Sequence, residues 1–269
     1  MSKLPFAIGS QPGVGTTGMP GTSRAVAVPP LRRLARRLLR YPALAALLRP
    51  LLPGWPDAGR RIVQGPMLRA LLARAGGRRA GGRLAVNAGS GEGLITRLIC
   101  ESAAPARLVQ FDLNPRPTGD LRRTRVHAVA ASITDIPLAT GAANLIVCTE
   151  VLEHVPDDAK AVGELRRVLA DSGWLVLSVP TPPAEFDPAH VREGYTQQEL
   201  TTLLERHGFS VVAWQVGMYA GFRRVLRHWR PGRMPRLVIE GLAWFDRLLP
   251  VGPPMNVAVL ARAAGPEGS

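Results

Sequence analysis

From residue 83 onward, short apolar runs alternate with amphipathic segments of helical period. The apolar runs predict strands at Leu84–Ala88, Leu108–Phe111, Val126–Ala131, Leu145–Thr149, Trp174–Val179, Ser210–Trp214 and Asn256–Leu260. The amphipathic segments predict helices at about Leu94–Glu101, Asp157–Leu169 and Gln197–His207. This alternation predicts an α/β fold with a mostly parallel sheet covered by helices on both faces. Ligands of such sheets bind beyond the carboxyl ends of the strands.

Residues 1–60 differ in character from the rest, and we predict that they lie outside a domain spanning residues 61–269. Residues 1–30 are rich in Gly, Pro, Ser and Thr and lack hydrophobic periodicity, which predicts disorder. Residues 31–40, LRRLARRLLR, place leucines and arginines on opposite faces of a short helix. This basic amphipathic arm suits an anionic membrane surface, or simply packs on the domain with its arginines in solvent. The arginine-rich, acid-poor start also has the composition of an organelle transit peptide.

The net charge of +14 belongs to this arm. Residues 1–83 are rich in Lys and Arg and contain a single acidic residue, Asp57, whereas basic and acidic residues are equal in number over the rest of the chain. The predicted domain is therefore neutral, and the charge says little about the chemistry of its core.

The cysteines and the apolar stretches predict a chain that works in the cytoplasm. Cys100 and Cys148 lie far apart in the sequence without a CxxC motif, which favours neither a zinc site nor a disulfide framework. The longest apolar stretch, Tyr41–Trp55, is interrupted by three prolines and Arg49, so we predict no membrane-spanning helix.

The most informative segment is a glycine-rich loop between the first strand and the first helix, NAGSGEG at residues 87–93. Glycines there allow a ligand to approach the backbone closely, and the helix N-terminus offers free N–H groups. Leu94 stands where the dinucleotide fingerprint requires its third glycine, and the lysine of a P-loop is missing. The loop is either an ordinary turn or a ligand site of another kind.

Asp112, which closes the next strand, favours the ligand site. It follows Gly89 at the spacing where a strand-ending acid can accept hydrogen bonds from the two hydroxyls of a ribose. A turn at Asn114-Pro115 is the alternative role for this aspartate.

With these features the chain resembles a known family, the class I S-adenosylmethionine-dependent methyltransferases, and in particular their type 11 small-molecule group. The resemblance extends from about Arg83 to Val216 and resumes at the last strand, NVAVLARA. It rests on the ordered segments NAGSGEG, FDLNP, SITDIPL, LIVCTEVLEHV, ELRRVLADSGWLVLSVPTP and HVREGYTQQELTTLLERHGFSV. It implies a Rossmann-like seven-stranded sandwich whose last strand is antiparallel, with S-adenosylmethionine as cofactor. Methyl transfer to an oxygen, nitrogen or carbon of a small or lipid-linked acceptor is the implied reaction.

The resemblance also implies a cofactor site that follows the first four strands, formed by Asn87, Gly89, Ser90, Gly91, Asp112, Leu113, Ser132, Ile133 and Thr149. The glycine loop would line the methionine and ribose parts, Asp112 would bind the ribose hydroxyls, and Leu113 would pack on the adenine. Ser132 and Ile133 would contact the adenine edge, and Thr149 would lie near the methionine end.

Three departures from the family pattern bear on this site. Asn87 and Ser132 stand where the family usually has an acid, and Ala143-Asn144 replaces a frequent Phe-Asp. Asn still accepts a hydrogen bond, and backbone groups can read adenine. The departures nevertheless raise the alternative of a methyltransferase-like scaffold that has lost turnover.

Methyl transfer is an in-line displacement that needs alignment, sometimes a general base, and no metal. Base candidates near the implied site are Glu150, Glu153, His154 and His190, of which we assign Glu150 and His154 as catalytic. His190 also begins a segment that, with Arg192 and Tyr195, could form a substrate lid or hold the fold together. We predict no metal site.

Residues 216–254 form an insertion between the last two strands. It carries six arginines between Arg223 and Arg236, and Trp229, Trp244 and Phe245 offer apolar surface. These residues favour an acceptor pocket for a lipid-like or anionic partner, or a local helical hairpin, and a location peripheral to the membrane. Nucleic-acid methylation through the arginine arm is a further alternative, but the aromatic content of 5% lacks the stacking platform that single-strand binding uses.

Overall fold

A computed structural model gives the fold and describes residues 56–121, 124–183, 187–219 and 235–264. The helices are α1 (Pro56–Arg74), α2 (Leu94–Ser102), α3 (Asp158–Val168), α4 (Gln197–Arg206) and α5 (Arg236–Leu248). The strands are β1 (Leu84–Ala88), β2 (Arg107–Asp112), β3 (Arg125–Ala130), β4 (Ala143–Thr149), β5 (Leu169–Pro180), β6 (Phe209–Tyr219) and β7 (Pro254–Ala263). Short 3-10 helices span Gly77–Arg79 and Leu152–His154.

The seven strands form one sheet in the order β3-β2-β1-β4-β5-β7-β6. Strands β1 to β5 pair in parallel, whereas β7 is antiparallel to both β5 and β6. The predicted fold class is thereby confirmed, including the antiparallel last strand. The strand order reverses between β1 and β4, and in such sheets this switch point opens a crevice for a ligand.

Each face of the sheet buries its own apolar cluster, because the central strands carry apolar side chains on both sides. On one face the sheet packs against leucines of α1 and α2, including Leu68, Leu72 and Leu98. On the other face it packs against α3 and α4, including Leu165 and Leu200. The two-faced core holds the strand ends rigidly in place, and the loops beyond them carry the site.

Helices α3 and α4 begin at polar caps that the sequence specifies locally. Thr196 and Glu199 form a reciprocal capping box at α4, as its spacing predicts. Asp157 caps α3 by accepting a hydrogen bond from the Lys160 amide. These caps fix where both helices start after β4 and β5.

Helix α1 is the main element that the sequence pattern did not predict. Pro66 lies inside it and polar residues interrupt its apolar period, which obscures the helical signal. It packs against α2, α5 and β6, and it spans the predicted domain boundary at residue 60.

Two predictions lie outside the described residues: the disordered start with its basic helix at 1–40, and the arginine stretch through residue 234. Among the helices that the structure describes, none is long and apolar enough to cross a membrane.

Candidate active site

A cleft of about 320 Å³ opens beyond the carboxyl ends of β1 to β4. Its lining residues are Gly89, Ser90, Gly91, Glu92, Leu94, Ile95, Asp112, Leu113, Ala131, Ser132, Ile133, Thr149, Glu150, Val151, His154 and Val155. Every residue assigned from the sequence to the cofactor or to catalysis lies in this lining, except Asn87. The structure thus brings together side chains from four loops that are well separated in the sequence.

The glycine loop is folded back onto the end of β2. The amides of Gly89 and Ser90 both donate to the carbonyl of Phe111 at 2.8 Å. At Gly89 (φ +76°) a Cβ would lie 2.1 Å from Cγ2 of Val151, so the position has no room for a side chain. At Gly91 (φ +47°) a Cβ would meet nothing within 4 Å, and this residue lines the cleft. Gly91 therefore leaves open backbone that a ligand can approach.

Asp112 connects this loop to the end of β2. Its Oδ2 accepts a hydrogen bond from the Gly91 amide at 2.8 Å, and its Oδ1 accepts one from the Asn114 amide at 3.0 Å. Each carboxylate oxygen can accept a further bond, so the turn contacts leave acceptor capacity for a ligand. Leu113 beside it is 81% exposed and offers an apolar surface at the cleft.

Asn87 lies at the buried end of β1 rather than in the cleft wall. Its amide group donates to Thr96 Oγ1 at 2.9 Å, and that hydroxyl donates to Gln110 Oε1 at 3.0 Å. Its Oδ1 is buried without a hydrogen-bond partner, as is Oγ of the cleft residue Ser90. An unsatisfied buried oxygen costs about 1–3 kcal/mol, so the Ser90 hydroxyl, which belongs to a cleft-lining residue, is suited to a donor that a ligand would bring.

The other two departures from the family pattern have local partners. Ser132 Oγ lies 2.8 Å from Thr134 Oγ1 and accepts from the Thr134 amide at 3.2 Å. Asn144 Oδ1 accepts from the amides of Arg83 and Leu84 at 2.9 and 3.2 Å, and so fixes the start of β1. Both side chains retain an acceptor oxygen that serves the loop geometry.

Glu150 is held at the switch point by hydrogen bonds from two other strands. Its Oε1 accepts from Ser178 Oγ at 3.0 Å and from Asn256 Nδ2 at 2.7 Å. Its backbone is in the left-handed region (φ +55°), which is unusual for a residue with a side chain. Such conformations persist where surrounding contacts impose them, and they are frequent at functional sites. The carboxylate is thereby positioned in the cleft wall.

His154 lies at the end of the 3-10 helix, with its ring in the same cleft. Its Nδ1 is 3.1 Å from the carbonyl of Ala189, which favours the tautomer that carries its proton on Nδ1. Nε2 is then an acceptor, 4.0 Å from Oε1 of the buried Glu153. The ring of His190 meets that of His154 edge to face, with centroids 4.6 Å apart.

The segment of His190, Arg192 and Tyr195 packs beside this 3-10 helix and does not line the cleft. The Tyr195 hydroxyl donates to Asp158 Oδ2 at 2.8 Å, and the Arg192 guanidinium contacts the same oxygen at 2.8 Å. Burial, together with the hydrogen bond to Asp158, raises the pKa of Tyr195 far above its usual value. Tyr195 and Arg192 therefore fasten the segment to α3.

Six residues that line the cleft were not predicted from the sequence: Glu92, Leu94, Ile95, Ala131, Val151 and Val155. Val151 and Val155 flank Glu150 and His154 in TEVLEHV, so proximity to the assigned residues was the available signal. Their side chains make the wall beyond β4 largely apolar.

Comparison with known proteins gives matches in sequence. Residues 86–177 match the family described as "Methyltransferase domain". A Mycobacterium tuberculosis protein named "Probable S-adenosylmethionine-dependent methyltransferase" is 34% identical over 145 residues, which are 51% of this chain and 52% of that protein. The chain thus spans about half the length of the curated relatives that it matches.

Solved structures match the fold over a larger share of the chain. An S-adenosylmethionine-dependent methyltransferase from Mesorhizobium loti superposes with a TM-score of 0.51 at 18% identity, covering 74% of this chain and 97% of that one. A methyltransferase from Archaeoglobus fulgidus gives 0.50 at 17% identity, covering 73% and 93%. At these sequence identities the two structures support only the assignment of the fold.

Proposed function

We propose that this chain, which belongs to the class I S-adenosylmethionine-dependent methyltransferases in sequence and fold, transfers a methyl group from S-adenosylmethionine to an acceptor molecule. The observation that carries the proposal is the cleft at the switch point of the sheet. There the Gly91 amide donates a hydrogen bond of 2.8 Å to the Asp112 carboxylate, and the space where a Gly91 side chain would lie is open. This pairing of a glycine loop with a strand-ending acid suits a nucleoside with a charged tail.

The cleft residues fit the cofactor in several respects. Open space at Gly91 allows close approach to the backbone, and Asp112 keeps acceptor capacity for ribose hydroxyls. The exposed side chain of Leu113 suits one face of an adenine ring. The unsatisfied oxygen of Ser90 supplies an acceptor in the glycine loop for an ammonium group. Ser132, Ile133 and Thr149 would complete the pocket at its adenine and methionine ends.

When bound, S-adenosylmethionine supplies a methyl group already activated on a sulfonium. The protein then has to align the acceptor in line with that methyl and exclude water. The apolar wall of Val151 and Val155 excludes water, and the anchored Glu150 carboxylate orients groups that donate hydrogen bonds. Nε2 of His154 is the atom placed to accept a proton from the acceptor.

For the acceptor we propose a lipid-linked or similarly apolar small molecule reached at an anionic membrane surface. The support comes from α5, where Ile239 and Ala243 are buried against the domain. Its other side exposes large apolar residues, each at least 45% accessible: Leu237, Val238, Trp244, Phe245, Leu248 and Leu249. An exposed apolar face of this kind marks an interaction surface.

The basic segments next to this apolar face favour an anionic bilayer as its partner. Six arginines lie from Arg223 to Arg236, where the helix begins, and residues 1–83 carry a net charge of +14. An anionic bilayer attracts such segments, whereas a second copy of the chain would bring like charges together. Residues 1–60 as a basic arm and 61–269 as the catalytic domain fit this peripheral arrangement.

Isothermal titration with S-adenosylhomocysteine and S-adenosylmethionine tests the cofactor site. We expect micromolar binding by the wild type, lost in Asp112→Ala and in Gly91→Trp and retained in the control Asp171→Ala, whose carboxylate is 98% exposed. Absence of binding by the folded wild type would overturn the proposal. It would favour the alternative that Asn87 and Ser132 suggest, a methyltransferase-like scaffold without turnover.

Cosedimentation with vesicles tests the membrane surface. We expect the chain to bind vesicles rich in phosphatidylglycerol and not those of phosphatidylcholine alone. The double variant Trp244→Ser and Phe245→Ser should lose binding, while the control Val212→Ser, at an exposed position on β6, keeps it. Equal binding by both variants would exclude α5 as the contact, and salt-sensitive retention on RNA or DNA in place of vesicles would favour a nucleic-acid acceptor.

A further inference from the structure

We propose that Glu153, His154 and His190 bind a divalent transition-metal ion at the edge of the cleft. One ligand atom from each of the three side chains lies within 4.8 Å of the other two. The sequence predicts no metal site, since methyl transfer requires none, and His190 lies far from His154 in the sequence. The fold brings them together when the segment after β5 packs on the 3-10 helix.

The imidazole of His154 is already oriented as metal-binding histidines are. Its Nδ1 lies 3.1 Å from the Ala189 carbonyl oxygen, which favours the tautomer that leaves the Nε2 lone pair available to a metal. Metal-ligating histidines commonly use the other ring nitrogen in this way, which fixes both tautomer and orientation. Nε2 lies 4.0 Å from Oε1 of Glu153, and the ring of His190 stands against that of His154 at 70°.

The third ligand is a carboxylate inside the protein. Glu153 is 1% exposed. Charges in such surroundings interact strongly because little water screens them. A cation between this carboxylate and two neutral imidazoles would therefore be held more firmly than at the surface.

The ligand types indicate the class of metal. Two imidazoles and one carboxylate suit zinc, iron, cobalt or nickel better than magnesium or calcium, which prefer oxygen ligands alone. Metal–nitrogen bonds of about 2.1 Å place neighbouring ligand atoms about 3.3 Å apart, so the distances between ligand atoms must shorten by about 0.7 Å for Glu153 and His154 and by up to about 1.5 Å within the cluster. The Val191 amide donates to the Glu153 carbonyl at 2.9 Å, which links the His190 segment to the 3-10 helix during that contraction.

A metal at this position would act on the acceptor. Three protein ligands leave open coordination positions, and His154 lines the cleft. A metal ion lowers the pKa of a hydroxyl bound to it, so the acceptor would be an alcohol whose oxygen attacks the methyl group while its proton passes to solvent water. With the metal bound, Nε2 of His154 would serve as a ligand in place of the general base. This role rests on the proposed methyltransferase function, whereas the binding of the metal does not.

Metal titration of the full chain tests the site. After chelator treatment and dialysis, we expect one equivalent of Zn²⁺ to bind, and Co²⁺ to give visible absorption bands of a nitrogen and oxygen ligand set. His190→Ala, His154→Ala and Glu153→Gln should each weaken binding at least tenfold. The control His127→Ala, at an exposed histidine on β3, should bind as the wild type does.

Two outcomes decide the proposal. It is overturned if the wild type binds Zn²⁺ no more tightly than the His154→Ala, His190→Ala double variant, while circular dichroism shows both folded. Binding of S-adenosylhomocysteine in the presence of chelator should be the same in the wild type, His190→Ala and Glu153→Gln, because neither His190 nor Glu153 lines the cleft. If the wild type binds Zn²⁺ but does not bind S-adenosylhomocysteine, the proposed function is refuted and the metal site is not.

Discussion

The two cleft glycines provide a sharp test, because the same substitution should act on folding at one and mainly on ligand binding at the other. Gly89 and Gly91 both have positive φ, and an alanine in that region costs about 1–2 kcal/mol in backbone strain. At Gly89 the new Cβ would also lie 2.1 Å from Val151 Cγ2. Overpacking of this kind adds about 1–3 kcal/mol, since a β-branched side chain has few rotamers to escape into.

Gly89→Ala should therefore lower the free energy of unfolding by about 2–5 kcal/mol, and Gly91→Ala by about 1–2 kcal/mol. Gly141→Ala is a matched control for strain alone, because Gly141 has φ +69°, open space around its Cβ, and a position outside the cleft. Its loss should equal that of Gly91→Ala.

Urea unfolding followed by circular dichroism measures these losses, and titration with S-adenosylhomocysteine measures the ligand effect. Gly91→Ala should weaken binding by tenfold or more, since its methyl group occupies cleft space, whereas Gly141→Ala should not change it. The steric prediction is contradicted if Gly89→Ala is no more destabilising than Gly141→Ala. The binding prediction is contradicted if Gly91→Ala binds S-adenosylhomocysteine as tightly as the wild type.

Three further predictions concern residues around the site. Glu164 accepts hydrogen bonds from Arg167 and from the Ile136 amide, which lower the pKa of its carboxyl group although burial opposes them. Its charged form therefore stabilises the fold above pH about 4.3, and this contribution is lost as the pH falls through the lowered pKa. Glu164→Gln should cost about 1 kcal/mol at pH 7 in urea unfolding, and the difference should shrink toward pH 3; a difference independent of pH would contradict this. Tyr195→Phe should cost about 1 kcal/mol by removing the bond to Asp158 without changing cofactor affinity, and a large loss of affinity would contradict its structural role. Because burial raises the pKa of the Cys148 thiol, reaction of native protein with Ellman's reagent at that residue should be limited by unfolding, and rapid native labelling would contradict it.

Several parts of the site could be predicted because they are encoded in short segments. The glycine loop, the strand-ending Asp112 and the capping box at Thr196 depend on neighbours within a few residues, and their backbone requirements are visible in sequence. The seven strands followed from apolar runs, since strands buried on both faces leave an uninterrupted pattern. The strand order and the antiparallel last strand came instead from the resemblance to a family.

The sequence by itself determined most of the elements, the cleft-forming loops and the resemblance to a family. Only the tertiary structure decided which distant groups meet: Ser178 and Asn256 on Glu150, and His190 beside His154. It also decided that Asn87 is fully buried and bonded to Thr96, rather than exposed in the cleft wall. The physical reason is that local preferences act over a few residues, whereas these contacts depend on strand register and on the packing of segments far apart in the chain.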